Sequence, residues 1–250
     1  MLEGVFDRII ANPYLIGVHV LALTGSVVFA SFSKIPKKQP RFYMALFLLW
    51  MVSFYELFGS ITLVNRDFNE SMHHLISNLP YQGWNLWAYN IFNFQISKVI
   101  LVAWIYLFIQ NPKLKRVLLF LLIGFVAITL FLDFSKIEEI TLHQPIVYFM
   151  SYMLSIVASC LFFVDLISSD DYLDINPLRF IPFWFITFNL FQNVILILAE
   201  IERDYLTFNE LPLYYFFKDI SMILYLLMLT SIVLIFINRG LLIEKKAQTI

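Results

Sequence analysis

Two ionisable side chains, Glu56 and Lys98, fall deep inside otherwise apolar stretches of this chain. A carboxylate beside an ammonium in such surroundings can hold a small polar ligand, an ion or a proton. An ionisable group facing hydrocarbon costs at least about 2.5–3.5 kcal/mol, so each must turn toward a partner or water. Glu56 lies about eight residues before the end of its stretch at Val64, and Lys98 about nine after the start of its own at Tyr89. At 1.5 Å per residue both are expected roughly 12 Å below one boundary, on consecutive antiparallel helices, where they are predicted to pair. A pair that only fixes packing would add little over apolar side chains, which favours a ligand or ion site. Gln95, almost one turn from Lys98, is expected to extend the polar surface. His19, Gln192 and Asn193 are expected to join it at similar depth, although a lone histidine more often serves packing.

Seven stretches of roughly 17–25 residues are long enough to carry these groups across a bilayer as helices. They run from Tyr14 to Phe32, Phe42 to Val64, Tyr89 to Gln110, Val117 to Phe134, Ile146 to Ile167, Phe180 to Ile201 and Tyr215 to Asn238. Composition agrees: 60% hydrophobic residues and a mean hydropathy of +0.79 exceed what a soluble chain covers with polar surface. The expected fold is all-α, a polytopic membrane bundle of seven helices forming a single domain over residues 1–250. No basic stretch or small-residue cleavage site marks a removable signal peptide at the N-terminus. Cys160, the single cysteine, cannot form an intrachain disulfide.

Loop charges orient the bundle. Lys34, Lys37, Lys38, Arg41, Lys113, Lys115, Arg116, Arg179, Arg239, Lys245 and Lys246 fall on one side, and Arg8, Arg66, Lys136 and Arg203 on the other. Lysine and arginine in short loops stay cytoplasmic, which places the N-terminus outside and the C-terminus inside. The polar residues named above then gather in the outer half. Glu200 and Lys218, near the outer ends of the last two helices, are expected to form a second pair or to snorkel to water. Residues 69–76 read as a short interfacial helix, with Trp84, Trp87 and Tyr89 at headgroup level. The inner loop with Asp170, Asp171 and Asp174 reads as a solvated charge run more readily than as a docking surface. Ser151, Ser155 and Ser159 form a small polar stripe that lets neighbouring helices approach.

A weak internal repeat runs through the chain. Pro40-Arg41-Phe42 opens one helix and Pro177-Leu178-Arg179-Phe180 another; Arg66-Asp67-Phe68 and Arg203-Asp204-Tyr205 close them, at offsets of 138 and 137 residues. The pairs Ile96-Ser97 with Ile220-Ser221, and Phe108-Ile109 with Phe236-Ile237, add to it at somewhat smaller offsets. The expected plan is three plus one plus three: residues 13–110 as one repeat, 111–145 as a connecting fourth helix and 146–240 as the other. Some transporters form a midplane site between such halves. Glu56 then corresponds to Asn193. Chance likeness among apolar segments is the competing explanation, at even weight.

Enzymatic chemistry finds no pattern to support it, so no catalytic residue, metal or cofactor is expected. Glu70 and His74 stand at i and i+4 and the other histidines are His19, His73 and His143, but there is no HExxH set. There is no GxSxG nucleophile, no histidine in the last helix for a ceramidase-like hydrolase, and no deep lysine there for retinal. A basic domain for nucleic acid is also missing.

Glu56-Leu57-Phe58-Gly59, Asn85-Leu86-Trp87-Ala88-Tyr89-Asn90, Phe163-Val164-Asp165-Leu166-Ile167, Asn176-Pro177 and Phe183-Trp184-Phe185-Ile186 resemble an uncharacterised family of seven-helix membrane proteins from Bacteroidota-type bacteria. The resemblance covers most of the chain and implies a bacterial inner-membrane location and a sensory input module beside a separately encoded signalling protein. It brings no ligand or catalytic residue. Thr187-Phe188-Asn189 departs from the small, glycine-bearing segment of the family.

Three readings follow from the sequence. The preferred one is a non-enzymatic receptor-like module that binds a small polar ligand or proton through Glu56, Lys98, Gln95, His19, Gln192 and Asn193 and acts on a separate partner, because the loops hold no output domain. The others are a small-solute transporter and a subunit of a larger membrane complex; membrane lipids are partners in all three. The orientation is tested by C-terminal fusions: green fluorescent protein there is expected to fluoresce and alkaline phosphatase to be inactive, and the reverse pattern would invert the bundle.

Overall fold

The structure, a computed structural model, describes residues 2–31, 39–81, 83, 86–173 and 175–238, without the Leu2 side chain. Phe32, Lys34, Lys37, Lys38, Trp84, Asn85, Asp174, Arg239, Lys245 and Lys246, which entered the sequence reading, lie outside the described residues. Every described element is helical. In order these are α1 (Leu2–Ile10), α2 (Pro13–Ala30), α3 (Pro40–Val64), α4 (Arg66–Ile76), a π-helix (Tyr89–Ser97), α5 (Lys98–Tyr106), α6 (Pro112–Ser135), α7 (Pro145–Ser168), two 3-10 turns (Asp170–Tyr172 and Pro177–Arg179), α8 (Ile181–Ile201), α9 (Arg203–Asn209) and α10 (Leu211–Ile237).

Six of these, α2, α3, α6, α7, α8 and α10, are long and apolar enough to cross a membrane, which makes the chain a multi-pass helical membrane bundle. All six carry proline at the first or second position, where the missing N–H is not needed and the fixed φ suits the first turn. Asparagines cap several starts: the Asn12 side chain accepts from the Tyr14 N–H and Asn111 from that of Lys113. The third expected span is built differently. Its first half is a nine-residue π-helix and its second a nine-residue α-helix that follows without a break.

Packing closes a ring. α2 lies against α3, α3 against the π-helix and α5, these against α7, α7 against α8, α8 against α10, and α10 back against α2. α6 stands outside the ring, touching α5 and α7, and turns Phe120, Phe131 and Phe134 outward. Close approach of α2 and α3 depends on Gly25, where a Cβ would sit 2.6 Å from a Leu49 methyl. The motifs proposed to close two helices in fact open the next ones: Arg66 starts α4 after α3, and Arg203 starts α9 after α8. α4 thus begins three residues earlier than the interfacial helix read from sequence, because the Asn65 side chain caps it at the Phe68 N–H.

Buried polar groups pin the loops. The Asp165 carboxylate on α7 accepts from the backbone N–H groups of Gln110 (2.6 Å) and Asn111 (2.9 Å), holding the turn between α5 and α6. The nearby Tyr172 hydroxyl donates to the Phe108 carbonyl. Burial raises the Tyr172 pKa, which keeps that donor protonated. At the opposite end Glu138 accepts from the Ile146 and Val147 N–H groups, satisfying the first turn of α7. The Asn90 amide bonds the carbonyls of Ile140 and Leu142 and accepts from the Tyr148 hydroxyl, stapling the π-helix to the loop before α7.

Asp165 is fully buried, and its removal would orphan two backbone donors at about 1–3 kcal/mol each. Asp165→Ala is therefore expected to lower the thermal midpoint in detergent by roughly 5–10 °C, at about 2–4 °C per kcal/mol for a chain of this size. A shift under about one degree would remove Asp165 from this role.

Candidate functional site

Inside one end of the ring lies a cavity of about 400 Å³, lined by all six ring segments. That volume is within the roughly 300–1,000 Å³ of small-molecule sites. α3 supplies Tyr55 and Glu56; the π-helix supplies Tyr89, Asn93 and Phe94; and α5 supplies Lys98 at its first residue. Tyr14 comes from α2, Tyr148 and Tyr152 from α7, Gln192 and Leu196 from α8, and Tyr214, Ser221 and Tyr225 from α10. Seven of the chain's thirteen tyrosines face this one space, so its wall is aromatic with hydroxyl tips.

The π-helix sets which side chains reach it. Bonding from i to i+5 lengthens the turn, so residues four to five apart share a face rather than three to four. Tyr89, Asn93, Phe94 and Lys98 fall on such a face. Gln95, three residues before Lys98, rotates away: its amide donates to Asp133 on α6 at 2.9 Å. The expectation that Gln95 extends the cavity surface is corrected on that ground, since it assumed an α-helical phase.

Glu56 and Lys98 line the same cavity without pairing. The Glu56 carboxylate accepts from the Tyr14 hydroxyl at 2.9 Å and, more weakly, from that of Tyr89 at 3.5 Å. The Lys98 ammonium donates to Asn193 Oδ1 at 2.8 Å and lies 5.5 Å from the centre of the Tyr152 ring, a cation–π distance. Among the described residues, the ion pairs within 4 Å are His74 with Glu70 and His143 with Glu200. The predicted direct pair is thus replaced by two separately held charges. Sequence spacing gives depth along the axis but not the direction around it, and the π-helix alters that direction.

Gly59 makes the Tyr89 contact possible. A Cβ there would come within 2.5 Å of the Tyr89 hydroxyl oxygen. The Tyr55 and Tyr225 hydroxyls bond each other at 2.8 Å across α3 and α10, completing a cage of four tyrosines near Glu56.

Behind Lys98 a buried ladder crosses three segments. The Asn193 amide donates to the Asn189 carbonyl and side-chain oxygens at 2.7 and 3.0 Å; the Asn189 amide donates to Ser159 Oγ at 2.9 Å; and the Ser159 hydroxyl bonds the Ser155 carbonyl. Ser151, Ser155 and Ser159 are fully buried and let α8 lie close to α7. Asn189 therefore joins the two helices by a hydrogen bond.

The remaining sequence candidates divide. Gln192 lines the cavity, and its buried Oε1 has no hydrogen-bond partner. Asn193 is fully buried and reaches the site through Lys98. His19 is not part of the wall: Nδ1 is bonded to Ser53 Oγ at 2.7 Å, while Tyr14, one turn nearer the helix start, meets the cavity. Glu200 and Lys218 both line the cavity, but the predicted pairing is corrected, because Glu200 Oε1 lies 2.5 Å from His143 Nε2. His143, Glu200 and Arg203 also line a second hollow of about 570 Å³. Sequence reasoning missed the tyrosines; in helices already rich in phenylalanine and tryptophan their spacing, as at Tyr148 and Tyr152, does not set them apart. Among the described residues no three His, Cys, Asp or Glu side chains are grouped to hold a metal ion.

Compared with known proteins, the chain matches no family model, no curated protein and no solved structure.

The Lys98–Asn193 bond is tested by a double-mutant cycle in Lys98→Met and Asn193→Leu, followed by reversible unfolding in mixed micelles. Either single change leaves a buried polar group unmatched, whereas the double change removes both. A coupling energy of about 1–3 kcal/mol is expected, and additive effects would show that the bond contributes nothing.

Proposed function

We propose that this protein is a receptor-like membrane module that binds a small polar ligand in the tyrosine-walled cavity and passes the occupancy of that site to a separate partner. The observation that carries the reading is the presence, in one cavity, of a carboxylate and an ammonium that do not neutralise each other. Buried charges are costly unless matched, and two charges kept apart around open space leave that matching to a guest. We read the composite of the π-helix and α5 as a seventh crossing, and the excess of basic loop residues on the other side supports an outward-facing cavity. No enzymatic step is proposed.

A signal requires that the ligand bind two conformations unequally. The cavity wall is suited to that, because Lys98 is linked through Asn193 and Asn189 to the serine face of α7. Below the cavity, Trp104, Phe108, Phe162, Phe185 and Phe236 are fully buried, with Trp104 and Phe185 in edge contact at 4.4 Å. This packed floor favours a site that is entered and left from one end. The inner-membrane setting and separate signalling partner implied by the family resemblance fit the same reading.

One observation favours the transporter alternative. In the helix ring, advancing each segment by three places maps α2, α3 and the composite third crossing onto α7, α8 and α10, with α6 outside as a connector. That is the arrangement a three-plus-one-plus-three repeat requires.

Native mass spectrometry of protein released from mild detergent is expected to show a bound small polar molecule that Glu56→Gln lacks. Proteoliposomes containing the protein alone are expected to be no more permeable to a labelled metabolite pool than empty liposomes. Flux abolished by Glu56→Gln would decide for transport; retention of no small molecule together with no flux would remove both readings in favour of an assembly subunit.

A further inference from the structure

Resting on the ligand-binding reading above, we infer that the cavity selects a small zwitterion of the amino-acid class, whose ammonium is met by Glu56 and its tyrosine cage and whose carboxylate is met by Lys98. The argument is one of unused bonding capacity. A carboxylate offers about four acceptor positions, and Glu56 receives only the Tyr14 and Tyr89 hydroxyls. An ammonium has three donors, and Lys98 uses one on Asn193. Both groups lie on the wall of the same cavity, so one guest can complete both.

The surroundings fit that guest. Tyr14, Tyr55, Tyr89 and Tyr225 lie around Glu56, and aromatic rings attract a cation by their faces. Gln192, more than nine-tenths buried, adds an amide side chain to the lining. Lys98 itself presents an ammonium rather than a guanidinium fork, which suits a singly charged carboxylate better than a phosphate. The lining carries further charges of both signs, Glu200, Arg203 and Lys218, so neither a plain cation nor a plain anion is drawn in by a single-sign field. A monofunctional amine would leave Lys98 short of an anion, and a monofunctional acid would do the same to Glu56. Sites that leave buried polar groups unpaired reject such analogues strongly.

The test uses the full chain in lipid nanodiscs and measures binding of each proteinogenic amino acid by thermal shift and equilibrium dialysis. Every amino acid that responds is compared with its decarboxylated amine and its deaminated acid. The expected result is that at least one amino acid binds and that both its counterparts bind roughly 100-fold more weakly or worse. Glu56→Gln, whose amide oxygen can still accept from Tyr14, and Lys98→Gln are each expected to weaken it by about 30-fold or more. The analogue comparison needs no variant, so a folding defect cannot mask the outcome. Amines that bind as well as amino acids and depend on Glu56 alone, or acids that depend on Lys98 alone, would overturn the zwitterion while leaving a polar-ligand site in place. Silence from all three classes would overturn the zwitterion, and the co-purified molecule sought by mass spectrometry would then decide the broader reading separately.

Discussion

An ammonium enclosed by hydrocarbon must be met by oxygen, and the bond from Lys98 to Asn193 meets that demand in this bundle. From it the buried ladder extends to Asn189, Ser159 and Ser155, so α5, α8 and α7 are held by one continuous set of polar contacts. The carboxylate of Glu56 is met elsewhere, by tyrosines of α2 and the π-helix. Two charges satisfied from opposite directions leave space between them. Had they paired directly, the same residues would have closed the cavity rather than lined it.

The ring of helices gives that arrangement its rigidity. Each segment touches two neighbours in the ring, and each contributes at least one side chain to the cavity wall. Glycines permit the closest approaches: Gly25 lets α2 meet α3, and Gly59 lets the Tyr89 ring lie over α3 beside Glu56. Loop groups then lock the two ends, with Asp165 holding one turn and Glu138 and Asn90 the other. The site is therefore set by packing at some distance from it as well as by the residues that face it.

Much of this architecture was legible in the chain. Six of the expected spans were legible as apolar runs, to within about five residues, because the bilayer imposes a length on each helix. The shared depth of Glu56 and Lys98 also followed from counting residues along two antiparallel helices. What counting misses is rotation. Gln95 was assigned by α-helical phase, and nothing in Tyr89–Ser97 announces a π-helix before its neighbours pack. The tyrosines escaped attention because an aromatic residue in a span is ordinarily taken as core or lipid-facing surface; only convergence from five segments makes them a wall. Asp165 escaped for a related reason, since its partners are backbone groups of a turn more than fifty residues away.

The long π-helical turn makes the pocket sensitive to chain length as much as to composition. Loss of one residue between Tyr89 and Ser97 would remove no wall side chain of α5, yet it would turn everything before the gap by about 100° relative to everything after it. Tyr89 and Lys98 would then point to different neighbours with their identities unchanged. The shape of the wall therefore depends on how many residues this short stretch holds as well as on which residues they are.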